Sequence, residues 1–282
     1  MKEKGTLYIV GTPIGNLRDI TLRAIETLKD VDVVLAEDTR QTLKLLNHLN
    51  IEKHLISYHR HNEDDKIDKV KEFLDNGKKL ALVSDAGMPV ISDPGQNLVK
   101  SLVENNYKIE IIPGVTALTT AVVGSGLDST RFTFEGFLSV NKKQRKARLA
   151  ELKSEERTMI FYEAPHKILA TLEDMFEYFG NRRICLAREL TKLHEEFIYT
   201  TIEEEITRIK EQGIRGELVL IIEGIDKESI TKEEQENISK ISSKELVMAE
   251  IKKGETKKDA IKKVAKLKGI TKNEVYKDCI DI

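Results

Sequence analysis

Cysteine is scarce: Cys185 and Cys279 are the only two in 282 residues, far apart and in unrelated surroundings. They can build neither a disulfide framework nor a thiolate zinc site, and a reducing compartment, the cytoplasm, is the expectation. Long apolar runs are missing too. The longest, such as Val31–Ala36, are strand-sized and fall well short of the ~18 residues that would cross a bilayer. The apolar stretch that follows Met1–Gly5 ends by Val10, too early for a secretory core region. Neither G-x-G-x-x-G nor G-x-x-x-x-G-K-[ST] occurs, which argues against a nicotinamide dehydrogenase and a P-loop NTPase. No charge of one sign dominates. Lys and Arg number 46 against 48 Asp and Glu, a net charge of −2 that does not advertise a nucleic-acid binder.

What is present reads as a soluble α/β chain. Forty per cent hydrophobic and 33% charged residues exclude disorder, and the length suits two domains of roughly 150 residues each. The first half repeats one rhythm of β-branched run, Gly/Pro/Asp turn and helical pattern. Strands are expected at Thr6–Val10, Val31–Ala36, His54–Tyr58, Lys79–Ser84 and Lys108–Ile112. Helices are expected at Leu22–Leu28, Thr42–Leu49, Lys66–Leu74, Asn97–Glu104 and Ala117–Val123. This alternation predicts a mostly parallel sheet with ligands at the strands' carboxyl ends. From Phe132 a second α/β region of more antiparallel character is expected. Its strands are Thr158–Tyr162, Ile184–Ala187, Phe197–Thr201 and Glu217–Ile222, with helices at Lys167–Phe179 and Ile202–Gln212. The expected domains are residues 1–115, 116–226 and a helical tail, 227–282. In the tail, Ser242–Glu245 and Thr271–Glu274 are capping boxes and Gly269 ends the helix Lys257–Lys268, a helix-turn-helix-like arrangement.

The strand exits carry the chemistry. Gly11-Thr12-Pro13-Ile14-Gly15-Asn16 follows the first strand, where glycine permits close backbone approach. Glu37-Asp38-Thr39-Arg40 ends the second; Asp38 or Thr39 can open the next helix, and the charges can also orient a polar substrate. Ser84–Gly95 crowds two Ser-Asp pairs, two prolines and two further glycines into twelve residues, too elaborate for a plain turn. Its Asp85 and Asp93 can accept hydrogen bonds from ribose hydroxyls or an amino group. Pro113-Gly114-Val115-Thr116-Ala117 makes a fourth turn. His59, Arg60 and His61 lack a further ligand at suitable spacing, so no metal is expected. The run Asn141–Arg148, with Lys142, Lys143, Arg145, Lys146 and Arg148 and no acid, is a basic loop.

Gly11–Thr21, Glu37–Arg40, Ser84–Gly95, Phe161–His166 and Ala187–Lys192 together resemble, in order, the signatures of the tetrapyrrole-methylase-like (class III) S-adenosylmethionine methyltransferases, in the branch that modifies small-subunit ribosomal RNA. Met88 and Lys167 depart from that branch, which usually has Thr and Arg. The resemblance implies two α/β domains with a cofactor cleft between them, a homodimer without membrane attachment, and 2′-O-methylation of a cytidine in the decoding region of 16S ribosomal RNA. By the same resemblance, S-adenosylmethionine would lie against Gly11, Thr12, Pro13, Gly15, Asn16, Ser84, Asp85, Ala86, Gly87, Val115, Thr116, Ala117, Leu118, Phe161, Tyr162, Ala187 and Glu217. Glu163, with His166 or Asp38 as rival, is the candidate proton acceptor, and Lys192 or Arg40 would steady the forming alkoxide. The five basic residues of 142–148 would hold RNA phosphates. Methylation of a small tetrapyrrole and a non-catalytic ribosome-binding module are the competing readings.

Overall fold

The computed structural model describes residues 4–60, 62–226 and 241–279; His61 and the start of the expected tail, 227–240, lie outside the described residues. The chain forms two compact units, Met1–Gly224 and Ile225–Ile282.

The first unit contains two five-stranded sheets. One is wholly parallel, with β1 (Thr6–Val10), β2 (Val33–Ala36), β3 (His54–Ser57), β4 (Leu80–Val83) and β5 (Lys108–Ile112) in the order β3-β2-β4-β1-β5. Alternation along each strand separates two cores. Leu7, Ile9, Val33, Leu35, Leu80 and Leu82 face α3 (Glu63–Asp75) and α4 (Gln96–Glu104). Val10, Val34, Ala36, Ala81 and Val83 face α1 (Leu22–Asp30) and α2 (Thr39–His48). The chain visits β2 and β3 on one side before β4 returns next to β1, and β5 then lands on β1's other side. The exits of β4, β1 and β5 therefore lie side by side at the point where strand order reverses, the location that favours a ligand.

The second sheet has the order β6-β7-β10-β8-β9, built from β6 (Phe132–Phe137), β7 (Thr158–Glu163), β8 (Arg183–Arg188), β9 (Glu196–Thr201) and β10 (Leu218–Ile222). Only β6 and β7 pair in parallel; the other pairings are antiparallel. One face packs on α6 (Lys142–Leu152), α7 (Ile168–Phe179) and α8 (Ile202–Gln212). The other, with Ile160, Cys185, Ala187, Val219 and Ile221, packs on Ala121 and Val122 of α5 (Ala117–Gly124) and on Ile14. The small apolar side chains of α5 let it fit against this second sheet, so one helix joins the two halves.

The basic run is not a loop. Asn141 caps α6 by accepting from the Lys143 and Gln144 amides at 3.0 and 3.2 Å, and Leu149 and Leu152 anchor its far end in the core. Three of the five cations are paired within the unit. Arg145 lies 2.6 Å from Asp174, with the two side chains 12% and 8% exposed. Lys146 meets Glu177 at 2.5 Å, and Arg148 meets Glu135 and Glu151 at 2.6 and 2.7 Å. Lys142 and Lys143 are exposed.

The second unit's described residues form α9 (Ser243–Lys252), α10 (Lys257–Lys268) and α11 (Lys272–Asp278) around Val247, Ala260, Ile261, Val264, Ala265, Val275 and Cys279. Both expected capping boxes are present, and Gly269 closes α10 in the left-handed conformation at φ 66°.

A buried ion pair is most costly when half of it is removed. Asp174→Ala is expected to lower stability by about 3 kcal/mol in urea denaturation, because Arg145 stays behind uncompensated. Arg145→Met/Asp174→Leu should recover most of that loss.

Candidate active site

The three adjacent strand exits of the parallel sheet are stitched together by backbone. The Thr12 amide donates to the Gly87 carbonyl at 2.9 Å, and the Gly87 amide returns the bond at 3.1 Å. The Thr12 hydroxyl also donates to the Ser84 carbonyl at 3.2 Å. A Cβ on Gly11 would stand 2.8 Å from the Gly114 Cα, so the exits of β1 and β5 meet only where both side chains are absent. Gly15 similarly abuts Lys192 and Leu190 of the second sheet's β8–β9 connection; an added Cβ would stand 2.5 Å from the Lys192 Cγ.

Between these exits and the second sheet lies a cavity of about 380 Å³. From the first side it is lined by Ile14, Ala86, Gly87, Met88, Thr116 and Ala117; from the other by Phe137, Tyr162, Leu190 and Gly216–Val219. Tyr162 makes an aromatic wall with Phe137, ring centroids 5.5 Å apart, and its hydroxyl oxygen accepts from the Leu118 amide at 3.1 Å. Two apolar side chains are held into the cavity by unusual backbone. Val90 (φ 77°) and Ser92 (φ 66°) flank Ile91, while Glu189 (φ 51°) and Thr191 (φ 63°) flank Leu190. Side-chain-bearing residues, β-branched Val90 above all, adopt this region at a cost that surrounding bonds must offset, and such strain concentrates at functional sites. Those bonds are visible: Arg60 donates to the Ser92 carbonyl, the Asn16 amide to the Thr191 hydroxyl at 3.0 Å, and the Thr191 amide to Glu195 at 2.6 Å.

Three carboxylates crowd the exits of β2 and β4. Burial pushes the Glu37 and Asp85 carboxyls up. Asp93, which lines the cavity, rises to about 6, chiefly through burial and then through the Glu37 charge; a Ser84 hydrogen bond and the Arg60 charge pull the other way. Asp38 is the opposite case. Its ion pair with Arg40, at 2.6 Å, holds it at about 2, and its carboxylate caps α2 through the Arg40 amide at 2.8 Å.

Of the residues nominated from the sequence, Ala86, Gly87, Thr116, Ala117, Tyr162, Glu163 and Glu217 line the cavity. Gly11, Thr12, Gly15, Asn16, Ser84 and Leu118 stand behind that lining through the contacts just described. Pro13, Asp85 and Val115 belong to the same exits without lining the cavity. Phe161 and Ala187 do not reach it with their side chains: Phe161 packs on the α6–α7 side of its sheet, and Ala187 is fully buried. Glu163 lines the cavity but its carboxylate is engaged, one oxygen accepting from the Ala164 amide at 2.9 Å and the other from the Thr171 hydroxyl at 2.7 Å. His166 is exposed and outside the lining, and the Arg40 side chain is 86% exposed. Lys192 bridges Glu189 at 3.0 Å and Glu217 at 3.2 Å, at the cavity's edge. Asp93, singled out from the sequence as a hydrogen-bond acceptor but not as a proton acceptor, lines the cavity, whereas Ile91, Ser92, Phe137 and Leu190 were not nominated. Among the described residues, no group of three or more His, Cys, Asp or Glu is placed to hold a metal ion.

The profile of the tetrapyrrole (corrin/porphyrin) methylases matches residues 6–205. A Bacillus subtilis protein named ribosomal RNA small subunit methyltransferase I is 48% identical over 274 residues, which cover 97% of this chain and 94% of that protein. The chain belongs to this family. A family member from Thermotoga maritima is 47% identical over 220 residues, covering 78% of this chain and 99% of its own length. Solved structures add the fold. Diphthine synthase superposes with a TM-score of 0.59 at 14% identity, over 78% of this chain and 90% of its own. Uroporphyrin-III C-methyltransferase from Thermus thermophilus, complexed with S-adenyl homocysteine, gives 0.56 at 17% identity, over 78% and 97%. The family is one of S-adenosylmethionine-dependent methyltransferases acting on ribosomal RNA, and no helix among the described residues is long and apolar enough to cross a membrane.

The Asp93 carboxyl is displaced upward from its ordinary 3.8 to about 6, so its ionisation favours the folded chain less than the unfolded one. Its stabilising contribution is complete below about pH 4 and is lost as pH rises through about 6. Asp93→Asn is therefore expected to raise the melting temperature at pH 8, with the gain shrinking toward zero near pH 4, as followed by differential scanning calorimetry.

Proposed function

We propose that this chain transfers a methyl group from S-adenosylmethionine, held in the cavity between its two sheets, to the ribose 2′-hydroxyl of a cytidine in the decoding region of 16S ribosomal RNA. The observation that carries the reading is the cavity itself, walled by glycine-bent strand exits in a chain 48% identical over 274 residues to a ribosomal RNA small subunit methyltransferase I. A cavity of about 380 Å³ lies within the range of small-molecule cofactor sites. Its apolar side chains suit the faces of a purine, and the Asp93 carboxylate complements a cationic donor. When bound, S-adenosylmethionine supplies an activated methyl on a sulfonium with a good leaving group. Main-chain groups of Gly11–Asn16, Ser84–Gly87 and Val115–Leu118 would hold it, with Tyr162 and Glu217 at its other side.

The protein's own part is to position the hydroxyl, exclude water and receive a proton. Glu163, Asp38 and His166 suit that last task poorly: the first is hydrogen-bonded at both oxygens, the second is held strongly acidic, and the third stands outside the cavity. Asp93 lines the cavity with a carboxyl near 6, ionised at neutral pH yet more basic than an ordinary aspartate. It is the proton acceptor in this reading, and Lys192 at the rim steadies the developing negative charge. Labelled methyl transfer to small ribosomal subunits, followed by mapping of 2′-O-methyls, tests the function. No transfer, with intact subunit binding, would favour a ribosome-binding module instead. Asp93→Asn should lower turnover at least 100-fold and remove the loss of activity expected below about pH 6, while S-adenosylhomocysteine binding by calorimetry stays within about threefold. Glu163→Gln leaving the same pH profile agrees with this assignment.

The reading includes a homodimer. β9 is an edge strand whose Tyr199 is 64% exposed, and the Tyr199 hydroxyl donates to the Gly124 carbonyl at 2.8 Å, beside Val123, 86% exposed. An apolar edge of this kind is ordinarily covered. Sedimentation at micromolar concentration is expected to give a dimer, and Val123→Lys a monomer.

A further inference from the structure

Positive charge is unevenly divided along the chain. Residues 241–279 hold eleven lysines against six acids, a surplus of five, so the chain's net −2 leaves −7 on all other residues. The basic run of α6 does not compensate, because Arg145, Lys146 and Arg148 are neutralised by acids of their own unit. An RNA substrate has to meet cations somewhere, since phosphate neutralisation supplies much of the affinity.

Six of the tail's eleven lysines fall into two sets. Lys253 and Lys263 pair with Glu250 at 2.6 and 2.5 Å, and Lys268 donates to the Ile241 carbonyl at 2.5 Å. Lys258, Lys262 and Lys266 are exposed and pair with no described residue. They recur every fourth residue of α10 and form one exposed stripe along the flank of the face that Ala260, Ile261, Val264 and Ala265 bury in the unit's core. The rise of a helix sets them about 6 Å apart along its axis, comparable to the spacing of successive phosphates along a strand. Like charges at this spacing repel within a helix. The acid at the head of the same exposed surface, Asp259, is taken up by the Thr256 hydroxyl at 2.6 Å. The Thermotoga maritima relative, matched over 99% of its length by 220 residues of this chain, has no counterpart for a stretch about the size of the tail, so the family's chemistry does not require one.

We infer that the tail is an accessory RNA clamp, whose Lys258, Lys262 and Lys266 face grips the ribose-phosphate backbone of ribosomal RNA. The inference rests on the proposed function only in taking an RNA as the substrate. It makes the tail a determinant of affinity and of the substrate's form, not of the chemical step.

The full chain and its Lys258→Gln/Lys262→Gln/Lys266→Gln variant are compared for binding to transcribed 16S ribosomal RNA across a salt series. Glutamine keeps helix propensity, and an unchanged melting profile verifies the fold. The expected result is a salt-dependence slope smaller by about 2, affinity reduced at least tenfold near physiological salt, KM for RNA raised in parallel and kcat unchanged. The Lys→Arg triple variant should restore the slope. Unchanged slope and affinity would overturn the inference, as would a fall in kcat at constant affinity, or weaker binding to phosphatidylglycerol vesicles with RNA binding intact. Wild-type chain that binds RNA with the steep slope but transfers no methyl would overturn the proposed function and leave the clamp standing. Wild-type that methylates while the variant binds equally well would do the reverse.

Discussion

Backbone meeting backbone with nothing between is the constraint on which the first unit depends. Gly11 has no room for a Cβ against Gly114, which itself leaves only 3.0 Å for one, and Thr12 and Gly87 exchange amide hydrogen bonds across two otherwise separate loops. These contacts fix the exits of β1, β4 and β5 relative to one another, and α5, which leaves the last of them, carries the register onward into the second sheet. The cavity is the space left over by that arrangement. Where Ala86, Gly87 and Gly216 line it, small or absent side chains leave the main chain close by, and its hydrogen-bonding groups are set by the fold and not by rotamer choice.

The same economy of side chains makes the few charged ones informative. Asp38 and Arg40 neutralise each other at the end of β2, and Glu163 turns back to satisfy its own helix start. Asp93 alone among the acids of the lining combines burial with neighbours of its own sign. A carboxyl kept uncomfortable in the folded chain is a common mark of a working group, stability having been yielded for reactivity.

Much of this was legible in the sequence for physical reasons. Strand exits announce themselves where Gly and Pro gather, because close backbone approach and sharp turns favour them, so Gly11–Asn16 and Ser84–Gly95 could be located before any coordinate. Capping boxes at Ser242 and Thr271 were equally plain, since their chemistry is local. What was hidden depends on partners remote in sequence. The helix Lys142–Leu152 buries apolar side chains only near its end and pairs Arg145, Lys146 and Arg148 with Asp174, Glu177 and Glu135, so its polar opening reads as a loop. The rotation of Phe161 to one side of β7 and Tyr162 to the other follows from strand alternation, but which side holds the cavity is a property of the whole sheet pair.

Ile91 and Leu190 stand in equivalent settings on opposite walls, each at the tip of a short kink whose shape is dictated by the residues before and after it. Each wall of the cavity thus carries an apolar tooth whose direction is set by the main chain around it. Exchanging those two side chains would reshape the space between the walls without disturbing the glycine contacts that hold the strand exits together.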